Sequence, residues 1–351
     1  MLIDDRPSIA APDDDPYLWL EEIEGDRALE FVAQQNRLTL QKFGDGGFAA
    51  DRDMLAAIYD RPDNIPYVTR RGGFLYNIWK DADNPRGLWR RTTLDEFRRP
   101  NPKWDVLLDV DKLAAEENED WILSWIQTLP GNHPHAILSL SRGGSDAAIL
   151  REFDIDTKDF VTGGFVLPEA KGGAQWLDAD TLLLSSAYGE GMATTSGYAR
   201  TVRLWRRGTD VSQAPVIFGT APDNMGVFAD VDRTDAAVRV WFVERLDFFN
   251  YNLWLGNETG GRSKLDLPTD IWMQAHRDWL VVKRRAAWMV GGQTHPRIRC
   301  SAYRCRLFLQ ATEILPLFSS LNRGVRCRAF SGAPTDWCCQ FSTNCGQFSR
   351  S

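Results

Sequence analysis

The sequence predicts a mainly β protein built as a β-propeller behind a short helical segment, and three observations predict it. From Pro66 onward, short runs rich in Val, Ile, Trp, Phe and Tyr alternate with Gly, Asp, Asn and Pro turns about every 8–12 residues. Within runs the apolar residues recur at period two: Ile149, Phe153 and Ile155 share a face, as do Tyr251, Leu253 and Leu255. Strand-then-polar-turn units also recur in kind, at Ile149–Thr157 and Leu253–Gly260. Repeats of about 40 to 50 residues with four short strands apiece are the pattern of propeller blades, whose sheets are buried on both faces. That burial accounts for 13 of the 14 tryptophans falling in the first 288 residues. A closed sandwich is the alternative, although roughly 230 residues of strands is long for one.

Residues 1–65 read as helical. Asp14 or Asp15 with Pro16 forms an N-cap and first-turn pair ahead of Tyr17-Leu18-Trp19-Leu20. Leu29, Val32 and Leu40, with Phe31 and Leu38, sit at helical spacings, Gly44, Gly46 and Gly47 break the run, and Met54–Ile58 forms a short amphipathic turn. Leu75–Lys80 then reads as a strand that pairs with Gly87–Arg91 across Asp83-Asn84-Pro85. Further strands are expected at Ala136–Leu140, Ile149–Ile155, Thr181–Ser185, Thr201–Arg206, Val238–Val243, Asn252–Leu255 and Trp279–Lys283. Gly143-Gly144 and Gly172-Gly173 read as hairpin turns, since no strand–GxGxxG–helix context makes them a phosphate cradle. Arg90-Arg91 and Arg284-Arg285 read as strand-end charges, and Trp121 and Trp125 as packing residues.

The last segment differs. Residues 1–299 contain no cysteine, and all six (Cys300, Cys305, Cys327, Cys338, Cys339, Cys345) fall after it. From His295 on there are eight Arg, no Lys and two acids, Glu313 and Asp336, against a whole-chain net charge of −7. The cysteine spacings are irregular and include no CxxC, so neither a disulfide framework nor a zinc site fits. Codons of the Trp337–Arg350 stretch, read in another phase, permit a Leu-rich, acid-containing text. Residues 295–351 are therefore expected to be an out-of-frame, disordered tail, the alternative being a genuine Cys/Arg-rich extension.

Composition narrows function. An acidic chain with 25% charged residues lacks the clustered cations of a nucleic-acid surface. The acidic N-terminus has no apolar h-region and no run reaches the ~18 apolar residues of a membrane span, so a cytoplasmic protein without membrane or nucleic-acid partners is expected. Asp13-Asp14-Asp15 and Glu116–Asp120 read as solvated charge rather than cation sites.

Several motifs resemble the prolyl oligopeptidase family of serine peptidases. Asp15-Pro16-Tyr17-Leu18-Trp19-Leu20-Glu21 followed by Phe31-Val32-Ala33-Gln34-Gln35-Asn36 is similar to its opening signature, with Phe31 where the family usually has Trp. Gly72–Asn77 and Leu88–Thr92 resemble its first blade, Ser139–Asp146 and Arg151–Asp154 its second, and Gly197–Val202 also matches. The resemblance runs from about 13 to 294. It implies a seven-bladed propeller that acts as a size filter over an α/β-hydrolase domain, with short peptides as substrates and the N-terminal helices packed on the hydrolase. About five of seven blades are expected at 66–294, with the hydrolase domain absent. Hydrolysis in such a family uses a Ser–His–Asp triad with the serine in a G-x-S-x-G elbow. That elbow occurs nowhere here. Ser141, Ser145, Ser196 and Ser263 lie near glycines without flanking pairs, and His133, His135, His276 and His295 sit in turns, beside strands or in the aberrant tail. No catalytic, cofactor-binding or metal residue is expected, and no cofactor. The chain thus reads as a propeller fragment of a peptidase, inactive alone. It could regain activity with a separate hydrolase part, or serve instead as a protein-binding scaffold.

Overall fold

The computed structural model describes residues 15–304 apart from 23, 62, 235–236, 258–260, 278, 291–292 and 296–299. Two compact units are described separately: Met1–Ile65 with Asp81–Asp83, and Pro66–Lys80 with Asn84–Ser351.

In the first unit, Asp15 accepts a hydrogen bond from the Tyr17 amide at 2.8 Å, and a single 3-10 turn follows at Leu18–Glu21. Helix α1 spans Asp26–Phe43 and α2 spans Gly46–Tyr59. Gly44 ends α1 as expected. Gly46 and Gly47 do not break the helical run, because the Asp45 side chain accepts from the Phe48 amide and caps a new helix that begins at them. Met54–Ile58 is thus the end of a fourteen-residue helix rather than a short turn. Trp19 packs edge-on against Phe31 with ring centres 5.6 Å apart, and Arg27 lies 3.9 Å over the Trp19 ring. Phe31, the departure from the family signature, therefore still provides an aromatic partner for Trp19.

The second unit is mainly β. Blade 1 contains β1 (Thr69–Arg71), β2 (Phe74–Trp79), β3 (Leu88–Thr93) and β4 (Asp105–Asp109), in that order. The β2–β3 pairing is the one expected across Asp83-Asn84-Pro85. Helices α3 (Leu94–Phe97) and α4 (Val110–Glu117) flank β4 and were not foreseen. Blade 2 contains β5 (Trp121–Thr128), β6 (His135–Arg142), β7 (Ala147–Asp154) and the short β8 (Asp159–Phe160). Strand β9 (Val166–Asp178) joins two blades: its first half pairs with β7 and its second half with β10 (Thr181–Ser186). Blade 3 continues through β11 (Thr201–Arg206) and β12 (Val216–Gly219). Blade 4 is β13 (Gly226–Asp232), β14 (Arg239–Arg245), β15 (Tyr251–Gly256) and β16 (Arg262–Lys264). A fifth sheet has β17 (Ile271–His276), β18 (Trp279–Arg284) and β21 (Cys300–Arg304), with the hairpin β19 (Trp288–Val290) and β20 (Gln293–His295) between them. The described part of the region expected to be aberrant thus holds a strand paired to β18, and residues 305–351 lie outside the described residues.

Alternation along each middle strand shows why the sheets stack. On β6, Ala136, Leu138 and Leu140 join the core between blades 1 and 2, while Ile137 joins the core between blades 2 and 3. On β10, Leu182 and Leu184 face one neighbour and Leu183 the other. On β14, Val240 and Phe242 pack toward blade 3, and Trp241 and Val243 toward the fifth sheet. A strand apolar on both faces is stable only between two sheets, which the propeller provides for each interior blade.

Two expectations need correction. Gly172-Gly173 is not a hairpin turn: both residues lie inside β9, where the strand leaves one blade for the next. Gly172 has φ +135°, and a Cβ there would fall 2.1 Å from the Ser185 carbonyl oxygen, so the crossing needs a residue without a side chain. Arg90 and Arg91 are not strand-end charges either. They lie within β3, where Arg90 stacks on Trp79 and Trp104 and the Arg91 Nε donates to Asp105 at 3.0 Å.

Among the described residues, no helix is long and apolar enough to cross a membrane.

Candidate functional site

The serines and histidines that chemistry would call on are tied into structure. The Ser141 hydroxyl is buried and lies 2.9 Å from that of Ser124. Ser145 donates to the Ala147 carbonyl at 2.9 Å, Ser196 lies 3.1 Å from the Thr194 hydroxyl, and Ser263 is exposed on β16. His133 accepts from Arg71 through its carbonyl, and the His135 Nδ1 lies 2.9 Å from the Glu152 Oε1. His276 ends β17 and His295 ends β20. Among the described residues no hydrogen bond joins a serine hydroxyl to a histidine, and no group of three or more His, Cys, Asp or Glu could hold a metal ion.

Charge is used instead to lock blades together. Glu152 is buried on β7, where its carboxylate accepts the Phe165 amide at 2.9 Å and both Arg207 amino groups at 2.7 and 2.9 Å. Arg207 follows β11, so this two-point ion pair joins blade 2 to blade 3. The hydrogen bond to Glu152 raises the Arg207 guanidinium above its ordinary value. Gln127 bonds Gln175 at 2.7 Å and the Trp176 indole donates to the Gln127 carbonyl at 2.9 Å across the same boundary. In blade 4, Asp232 accepts from Thr234, Arg239 and Trp241. Burial, the largest influence, pushes the Asp232 carboxyl up, but the bonds from Thr234 and Trp241 and the Arg239 charge together hold it below the carboxylate range.

One concave feature of the second unit is a groove of about 380 Å³ where the inner strands β5, β9 and β13 meet. Its lining includes Trp125, Tyr198, Met225 and Phe228 together with Gly172, Gly173 and Gly226. Arg245, at the end of β14 opposite Gly226, is the charged residue in the lining. Lys171 stands just outside, its Nζ 4.9 Å from the Tyr198 ring and 3.7 Å from Asp146. Such a site can take an extended, largely apolar chain carrying one negative group.

Sequence reasoning missed this groove because it missed the inner strands. β5, β9, β13 and β17 lie outside the runs expected to be strands, since Gly, Ser, Gln and Asp interrupt their apolar pattern. Trp125 was read as packing, and the strand explains the difference. Trp121 and Trp125 are four apart, an even separation that would place both on one face. The register shifts between Leu123, opposite Leu140, and Trp125, opposite Ser139, and this bulge turns Trp125 into the groove while Trp121 stays in the core. A Trp–Ile–Leu–Ser–Trp string is the one signal that could have marked it.

Known proteins supply the family. Residues 10–267 match the model of the prolyl oligopeptidase N-terminal β-propeller domain. An uncharacterized peptidase of Sinorhizobium fredii is 36% identical over 282 residues, which cover 76% of this chain and 38% of that protein. The structure of a post-proline cleaving enzyme from Rickettsia typhi superposes with a TM-score of 0.76 at 26% identity, covering 83% of this chain and 44% of that one. Oligopeptidase B from Leishmania major shares the fold, with a TM-score of 0.58 at 15% identity over 80% of this chain and 40% of its own. The chain thus spans about two fifths of the length of these relatives. On the match across its helices and first four blades, the chain belongs to the prolyl oligopeptidase family, as its N-terminal β-propeller domain.

Proposed function

We propose that this chain is the propeller part of a serine peptidase acting on short peptides, and that it does not hydrolyse them by itself. The single observation carrying this reading is the family match over residues 10–267, a stretch in which no serine has the G-x-S-x-G setting a nucleophile needs. The candidate serines and histidines hold turns and strands, and among the described residues none pairs with another as nucleophile and base. In this reading the nucleophile, its base and the oxyanion donors belong to a hydrolase part, and the propeller over it admits peptides while refusing folded chains. The post-proline cleaving enzyme that this chain resembles points to peptides with proline as one substrate class.

The test uses the purified 351-residue chain. Fluorogenic peptides with Pro or Arg before the scissile bond are expected to stay intact, and a phosphonate that marks active serines is expected to leave no adduct by mass spectrometry. Adding a separately produced hydrolase part from the same coding region should restore turnover. An adduct on any serine of this chain, or turnover proportional to its concentration alone, overturns the reading.

A further inference from the structure

We propose that the groove between β5, β9 and β13 is a peptide-docking subsite that holds a carboxylate at Arg245. This inference rests on the peptide-acting reading above and adds what the site selects. The chain is acidic, with a net charge of −7, yet the groove lining contains no acid and one cation. Arg245 is exposed and makes no ion pair with a carboxylate among the described residues, its guanidinium lying 5.5 Å from the Phe228 ring. Most other arginines of the blades are occupied: Arg71 by carbonyls, Arg91 by Asp105, Arg142 by Glu119, Arg151 by Glu117 and Arg207 by Glu152. A free guanidinium at the end of an apolar trough is what a carboxylate on an extended peptide would meet, and its planar fork suits two-point binding.

The neighbouring charges set the direction. Lys171, beyond Tyr198, is paired with Asp146, so Arg245 is the cation that faces the groove. Asp230 stands exposed on β13 two residues past Phe228, just outside the groove lining, and brings a negative charge to that end. Gly226 pairs with Arg245 and Asp230 with Trp241. At about 3.3 Å per residue, the two ends are therefore roughly 13 Å apart along the strand, the length of a four-residue extended segment. A carboxylate is favoured at the Arg245 end and disfavoured at the Asp230 end. The aromatic walls, Trp125, Tyr198 and Phe228, then cover apolar side chains between them.

Fluorescence anisotropy of the 351-residue chain with dye-labelled apolar tetrapeptides tests this. One peptide has a free C-terminal carboxylate, one is amidated, and one is amidated with Glu as its last residue. The free acid should bind about ten-fold more tightly than the amide, the worth of one charged hydrogen-bonded contact. Arg245→Gln should remove that preference by bringing the free acid down to the affinity of the amide, with circular dichroism melting as the folding control. In the wild-type chain the preference should shrink as salt rises, a reading that needs no variant. Rescue by the Glu peptide assigns the contact to any carboxylate, and its failure assigns it to the chain terminus. Equal binding of acid and amide, binding of neither, or an undiminished preference in Arg245→Gln overturns the proposal. Peptide hydrolysis restored by a hydrolase part, alongside no carboxylate preference, would remove this inference and leave the functional reading standing.

Discussion

At Gly172 an added Cβ would meet the Ser185 carbonyl oxygen at 2.1 Å and the Ser186 Cα at 2.7 Å, both backbone atoms that cannot move aside. Gly172→Ala is expected to cost about 1–3 kcal/mol, from overpacking added to an unfavourable φ, read as a lowered urea midpoint. Gly173, where an added Cβ meets nothing within 4 Å, is the control: Gly173→Ala should shift the midpoint much less. Glu152 and Arg207 give a second prediction. Glu152→Gln removes the buried counter-charge of Arg207, leaving it the exposed Asp180 at 2.9 Å, and should lower stability by roughly 2 kcal/mol, whereas Arg207→Gln added to it should cost much less than it does alone. Neither residue was singled out in the sequence for its partner, because ion pairs 55 positions apart leave no local pattern.

Among the elements, β9 decides the arrangement of two blades, since it lends one half to each. Its sequence, VLPEAKGGAQWLD, contains Pro, Gly-Gly and three charges, and it does not alternate. The middle strands could be read because each is apolar on both faces. The inner strands could not, because polar or glycine residues interrupt their alternation, some of them on β5, β9 and β13 where these border the groove. The β13–β14 pair carries a pH prediction. Asp232 titrates below its unfolded value, so its contribution is fully present above about pH 4 and is lost as pH falls through the lower folded value. Asp232→Asn should lower the urea midpoint at neutral pH and flatten its fall between about pH 4 and pH 2. An unchanged acid limb in that variant would assign the loss to other carboxylates such as Asp105, which is also held low although burial opposes it.

For the whole molecule, the telling feature is apolar surface. The first unit buries Ala28 but exposes Leu29, Val32, Leu38, Leu40 and Phe43 on α1 and Met54, Leu55 and Ile58 on α2. Exposed apolar surface of this extent favours association in water. The isolated chain is expected to bind a hydrophobic reporter dye and to associate with rising concentration in light scattering. Replacing Leu40 and Phe43 by Ser should reduce both. A monodisperse monomer that leaves the dye dark would show that this surface is covered in solution.

The sequence by itself determined the β class, the helical opening, the middle strands and the family, because these rest on local periodicity and contiguous motifs such as Asp15–Glu21 and Gly197–Val202. Only the tertiary structure decided that Gly172-Gly173 is a strand crossing, that Trp125 leaves the core through a bulge, and that Trp125, Tyr198, Phe228 and Arg245 line one groove. The physical reason is the stacking of sheets. Each inner strand takes part of its environment from the neighbouring blades, and a charge or ring gains its partner only when those blades are stacked.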